Sequence, residues 1–153
     1  MAQPNDCDRR DPLDPQWLER MYNNRMRVPD HGDHFARWAA QSALARKQLP
    51  SELDVPYGPA PRERLDAFAA PHAGGGAPLV VFIHGGYWKA LDKSDHSFIA
   101  AALHNAGAAV VVPNYTLCPQ ASIPQITLQL ARAVAWGWRH ARRLGADPRR
   151  IAV

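Results

Sequence analysis

The chain has 153 residues, 46% of them hydrophobic and 21% charged, with a formal charge of +4. This length suits one domain with a real core, and the balance is that of a globular protein. The late arginines (Arg139, Arg142, Arg143, Arg149, Arg150) fit a solvated helix end better than a nucleic-acid face. Two cysteines, Cys7 and Cys118, are too few for a disulfide framework, and no CxxC or Cys/His cluster points to zinc.

No apolar run approaches a membrane span, and the first residues carry no apolar core of a secretory signal, so a cytoplasmic protein is expected. Residues 1–13 are polar, rich in Asp and Arg, and read as a flexible N-terminus ahead of one domain over 14–153. Asp14 can cap a helix, with Pro15 in its first turn and Trp17, Leu18 and Met21 on its apolar side. The pattern fades over Tyr22, Asn23, Asn24 and Arg25, and residues 28–32 form a turn. Asp33 then caps a second helix ending near Lys47, with Phe35, Trp38, Ala39 and Leu44 as its apolar stripe. Pro50 stops it.

Residues 52–57 read as a short strand. Residues 64–68 alternate polar and apolar and predict a second, half-exposed strand. Gly74, Gly75 and Gly76 precede a strand instead of following one, so they form a turn and no phosphate loop. Residues 79–83 are a continuous apolar strand. Ser94 or Asp95 caps the next helix, which covers Phe98, Ile99, Ala102 and Leu103. Residues 108–112 are a second continuous apolar run, the pattern of a strand buried on both faces. A longer helix starts at Ser122 and Pro124, with Ile126, Leu130, Val134, Trp138 and Ala141 as its stripe. Asp147-Pro148 turns the chain into a third apolar strand at 151–153. Alternating strands and helices define the α/β class with a parallel βαβ unit.

The chemistry concentrates where the strand at 79–83 empties into His84-Gly85-Gly86-Tyr87-Trp88. Two glycines allow dihedrals and close approaches that a Cβ would block. Successive N–H groups in such a turn converge on one anionic oxygen. The turn falls at the carboxyl end of a parallel strand, where open α/β sheets bind ligands. Tyr87 and Trp88 add apolar wall and stacking surface. A structural turn with core aromatics is the competing reading.

His84-Gly85-Gly86-Tyr87-Trp88 resembles the HGGxW motif of arylformamidases (kynurenine formamidases), α/β hydrolases related to esterases that carry HGGG at the same place. Tyr22-Asn23-Asn24-Arg25, Asp54-Val55-Pro56-Tyr57-Gly58, Arg62-Glu63-Arg64-Leu65-Asp66 and Asn114-Tyr115-Thr116-Leu117-Cys118-Pro119 are also similar to bacterial members. The resemblance implies the N-terminal half of an α/β-hydrolase fold, a mostly parallel sheet flanked by helices. It implies that the backbone N–H groups of Gly86 and Tyr87 form part of an oxyanion hole, with Tyr87 and Trp88 on the pocket wall. His84 belongs to the motif but is not the triad base; holding the loop by a hydrogen bond is its expected role. No cofactor or metal is implied. His31 and His34 with Asp30 and Asp33 lack a third ligand cluster and read as polar residues of a surface loop.

The sequence departs from the family in one respect. The nucleophilic serine of such enzymes sits in a G-x-S-x-G elbow after the next strand, followed by the acid and the histidine. That strand is residues 151–153 here, and none of Ser42, Ser51, Ser94, Ser97 or Ser122 has flanking glycines. The chain is therefore expected to be truncated before the elbow and inactive alone, acting in the whole enzyme on a small ester or formamide, an aromatic one by preference. A non-catalytic binding protein that forms a homo-oligomer through an open sheet edge is the alternative. With only a stub at 151–153, the strand at 79–83 is expected to lie almost at that edge. Nucleotide binding is disfavoured because no G-x-G-x-x-G follows either apolar strand.

Overall fold

The structure, a computed structural model, describes residues 14–72 and 74–153. Residues 1–13, with the expectation of a flexible N-terminus and with Cys7, lie outside the described residues. The chain divides into two compact units at Ala36/Arg37.

In the first unit, α1 (Pro15–Tyr22) starts where Asp14 accepts a hydrogen bond from the Gln16 N–H. The predicted fade after it is a new short helix, α2 (Asn24–Arg27). Asn23 ends one helix and caps the next, because its side-chain oxygen accepts from the N–H groups of Arg25 and Met26. The Arg25 guanidinium lies 5.4 Å from the centre of the Phe35 ring. The third helix, α3 (His31–Gln48), starts two residues before the expected Asp33 cap. His34 pairs with Asp30 at 3.2 Å.

Within the second unit, the buried positions of α3 are Ser42 and Ala45, while the expected Ala39 and Leu44 are exposed. Trp38 stacks on Phe98 at 5.9 Å, and the Ser42 hydroxyl accepts from the Phe98 N–H. A serine serves on the inner face because a backbone donor there needs an acceptor.

A five-stranded mixed sheet organises this unit, with β1 (Ser51–Pro56), β2 (Arg64–Phe68), β3 (Ala77–Val81), β4 (Ala109–Pro113) and β5 (Ala146–Ala152) in the spatial order β1-β2-β4-β3-β5. The β1–β2 and β2–β4 pairs are antiparallel. The β3–β4 and β3–β5 pairs are parallel. The helix α4 (Phe98–Asn105) joins β3 to β4, and α5 (Ile123–His140) joins β4 to β5. This is the expected α/β class, with an antiparallel pair added at one side.

Every residue of β4 is buried. Its side chains alternate between two cores, as the two-residue period of a strand requires. Ala109 and Val111 join Leu79, Val81, Ala133 and Trp136 on one side. Val110 and Val112 join Phe68 and Ala100 on the other. Each fully buried Val or Leu contributes about 1.5–3 kcal/mol. Gly137 of α5 lies so close to β3 that a Cβ there would sit 3.2 Å from the Leu79 side chain. That close approach explains a glycine inside a helix.

Three further expectations are corrected. The strand β2 is not half-exposed: Leu65, Asp66, Ala67 and Phe68 are all fully buried, because helices cover both faces and Asp66 finds a cationic partner. Trp138 is 59% exposed and off the buried stripe of α5. Each four-residue step advances about 40° around a helix, so a run of such steps walks off one face. The true inner face is Ile126, Gln129, Ala133, Trp136 and Gly137. Finally, β3 is no near-edge strand. The third apolar strand extends back to Ala146 and pairs with β3 from Ala77↔Ala146 to Val80↔Ala152, with an irregularity between them. The predicted Asp147-Pro148 turn sits inside that irregularity, where Asp147 accepts from the Arg149 N–H.

Candidate functional site

The parallel strand β3 delivers residues 84–93 to its carboxyl end, beside the carboxyl end of β4. Phe82 still donates to the Val111 carbonyl, so the strand holds its course to the brink of the loop. The backbone then turns left-handed: Gly86 has φ 113°, Tyr87 52°, Trp88 57° and Leu91 75°. Side chains other than glycine occupy this region at a cost of about 1–3 kcal/mol each. The turn is closed by the N–H groups of Lys89 and Ala90, both donating to the Gly86 carbonyl at 3.1 Å. A Cβ on Gly86 would collide with the carbonyl oxygen of Ala90. The Trp88 carbonyl accepts from the Cys118 N–H at 2.7 Å. Tyr87 and Trp88 are 57% and 45% exposed, so they are not core aromatics.

His84 is buried, and its ring lies between Tyr115 at 4.6 Å and His96 at 5.4 Å, stacked on both. Its Nδ1 is 2.8 Å from the Gly85 carbonyl oxygen and its Nε2 is 3.2 Å from Asn114 Oδ1. Asn114 faces His84 with oxygen, because the Lys93 N–H donates to that same Oδ1 at 2.7 Å while Nδ2 donates to Asp92 Oδ2 at 2.7 Å. Both ring nitrogens therefore meet acceptors, and a neutral ring can serve only one of them. The Tyr115 hydroxyl donates to the His84 carbonyl at 2.9 Å.

Burial lowers the pKa of His84 below its ordinary value of 6.5, and His96 adds to the effect; the Gly85 and Asn114 contacts and the Asp92 charge oppose it. The unfolded chain thus takes up this proton at higher pH than the folded chain, so stability falls as pH drops below about 6.5. Unfolding midpoints between about pH 5 and 8 should show that slope, and a His84→Asn variant should show a shallower one. An unchanged slope would separate His84 from the acid sensitivity.

The far end of the loop is held by charge. Burial works against the Asp92 carboxylate, yet hydrogen bonds from Ser94 and Asn114 and the Arg62 guanidinium hold its pKa below the ordinary value. Arg62 also donates to the carbonyls of Tyr115 and Leu91. Lys93 is buried, with Nζ 2.6 Å from Asp66 and 2.8 Å from Asp54. Burial pulls its pKa down, but the two carboxylates outweigh it and raise the pKa overall. Asp92 caps the 3₁₀ turn Lys93–Asp95, and α4 starts after Ser97, so neither Ser94 nor Asp95 takes the capping position expected of it.

The structure thus brings His84, Gly85, Gly86, Tyr87 and Trp88 into one loop. Sequence reasoning missed Asn114, Asp92 and Lys93 as parts of it. Asn114 did carry a signal: a polar residue directly after a buried strand, at the carboxyl end of the sheet. Among the described residues, no group of three or more His, Cys, Asp or Glu could hold a metal ion.

A mixed sheet with this strand order, flanked by helices and carrying a glycine-rich turn after β3, defines the α/β-hydrolase class. The chain belongs to the BD-FAE family, whose profile matches residues 65–153. It is similar to the kynurenine formamidase of Danio rerio, 32% identical over 126 residues, covering 82% of this chain and 43% of that protein. The kynurenine formamidase of Drosophila melanogaster is 35% identical over 106 residues, covering 68% of this chain and 35% of that protein. Among solved structures, a protein from Silicibacter sp. tm1040 provisionally described as a thioesterase superposes with a TM-score of 0.75 at 36% identity, covering 80% of this chain and 47% of that one. The chain thus spans less than half the length of these relatives.

Proposed function

We propose that this chain supplies the oxyanion-hole backbone and part of the pocket wall of a serine hydrolase that cleaves a carboxylic ester or an aryl formamide. The observation that carries the reading is the His84-Gly85-Gly86-Tyr87-Trp88 loop, left-handed from Gly86 to Trp88 at the carboxyl end of β3. Consecutive residues in such conformations aim their N–H groups into one concavity. The N–H groups of Gly86 and Tyr87 are the donors to the oxygen that becomes negative when the substrate carbonyl is attacked. One such donor is worth about 3–4 kcal/mol in the transition state. The exposed rings of Tyr87 and Trp88 favour an aromatic acyl or leaving group, in keeping with relatives named kynurenine formamidase. His84 steadies the loop and takes no part in proton transfer. The nucleophile, acid and base are assigned to sequence beyond these 153 residues, since no G-x-S-x-G occurs within them. The reaction then runs through an acyl-enzyme that water resolves.

No helix among the described residues is long and apolar enough to cross a membrane, and we read the protein as cytoplasmic. The test extends the reading frame past Val153 through the elbow and compares N-formylkynurenine with short p-nitrophenyl esters. A fluorophosphonate should label one serine of the extended protein and none of the 153-residue chain. Stoichiometric labelling of Ser42, Ser51, Ser94, Ser97 or Ser122 would overturn the assignment. An extended protein that neither labels nor turns over would favour a non-catalytic binding role.

A further inference from the structure

The loop at residues 84–93 begins and ends on one side chain. Asn114 Oδ1 lies 3.2 Å from His84 Nε2 and accepts from the Lys93 N–H at 2.7 Å. Its Nδ2 donates to Asp92 Oδ2 at 2.7 Å. Between these anchors sit all four left-handed residues of the loop. Asn114 is itself fixed: it directly follows Pro113, the last residue of β4, its N–H donates to the Arg64 carbonyl at 2.9 Å, and its carbonyl accepts from the Tyr57 hydroxyl.

We propose that Asn114 is a positioning residue of the oxyanion loop, stapling its two ends and fixing the direction of the Gly86 N–H through His84. This rests on the hydrolase reading above. The geometry is a short relay. Asn114 sets the place of the His84 ring, already held between Tyr115 and His96. The ring meets the Gly85 carbonyl at 2.8 Å. That carbonyl and the Gly86 N–H belong to one planar trans peptide and point in opposite directions. Holding the carbonyl toward the buried ring therefore turns the N–H away from it. Without the staple, a strained turn relaxes, and a donor displaced by a fraction of an ångström loses much of its value to a transition state.

The test uses an isosteric exchange, so that misfolding does not decide it. Asn114→Asp keeps the acceptor for Lys93 but sets a carboxylate against Asp92. Adding Asp92→Asn restores a donor–acceptor pair with residue 114 in reverse and restores the charge, and the amide oxygen introduced there would still cap Ser94, although the new Nδ2 gives up the ion pair that Asp92 Oδ2 makes with Arg62 at 3.2 Å. Two readouts follow. Hydrogen exchange over residues 84–92 needs no turnover. N114D should speed it about tenfold, with β4 and α5 changed less than about twofold, and N114D/D92N should recover part of the protection, short of the share that the Arg62–Asp92 pair supplies. In the extended enzyme, N114D should lower kcat about tenfold or more at a KM within about threefold, again with recovery in the double variant. Unchanged loop exchange in N114D overturns the staple. A loosened loop with kcat intact overturns its reach into catalysis. If the extended wild-type protein shows no turnover, the hydrolase reading fails, and the exchange measurement alone still decides whether Asn114 staples the loop.

Discussion

Replacing Gly86 by valine is expected to remove most of the turnover of the extended enzyme while leaving substrate binding nearly intact. Two physical facts force the loop to move. Its φ of 113° lies in a region that residues with a Cβ rarely adopt. Its Cβ would also meet the carbonyl oxygen of Ala90, which is backbone and cannot swing aside as a side chain would. The turn must therefore open, and the peptide that carries the Gly86 N–H turns with it. A misdirected oxyanion donor costs about 10²–10³ in kcat, because the bond is made in full only in the transition state. KM should stay within about threefold, since the Tyr87 and Trp88 rings still offer their surface. Gly86→Ala should show the same split, as the collision involves Cβ alone. Steady-state kinetics on both variants is the check, and a loss confined to KM would argue against the oxyanion role.

The position of that loop was legible in the sequence because its signals are local. A run of apolar residues, two glycines and two aromatics need no knowledge of distant contacts, and the strand and turn fall where they predict. Glycine was also the visible mark of the left-handed turn, although the turn continues through Tyr87, Trp88 and Leu91, where no glycine announces it. Long-range pairing was not legible. Asp66 alternates with Leu65 and Ala67 as a solvent-facing residue would, and only the fold brings Lys93 to it across 27 positions. The same holds for Asn114, whose partners lie 21, 22 and 30 residues away. The stripe of α5 failed for a different reason: large residues attract attention, while a close approach of the helix to β3 uses Gly137.

The pair formed by Lys93 and Asp66 should dominate the stability of the second unit. Asp66 is fully buried on β2, and its Oδ1 accepts from Lys93 Nζ at 2.6 Å and from the Asp54 N–H at 3.0 Å. Its Oδ2 finds no hydrogen-bond partner among the described residues. Lys93→Met would leave this buried carboxylate with a single backbone donor, and is expected to cost about 3–5 kcal/mol. The partner Asp54 is 70% exposed, so solvent screens its share. Asp54→Asn, which tolerates the positive φ there, should cost less than about 1 kcal/mol. A double variant, Lys93→Met with Asp66→Leu, removes both charges from the interior. It should be more stable than Lys93→Met alone, because a buried pair offsets its own desolvation only while both members are present. The pH dependence carries the opposite sign to that of His84. The raised pKa of Lys93 means that its contribution is complete below the ordinary 10.5 and is lost as pH rises from there through the higher value of the folded chain. Denaturant unfolding of the wild type should therefore weaken in alkali, and Lys93→Met should weaken less. Equal stability of the Lys93→Met and Asp54→Asn variants would mean that the buried carboxylate does not depend on Lys93. The anchoring of the loop would then rest on Asn114 and Asp92.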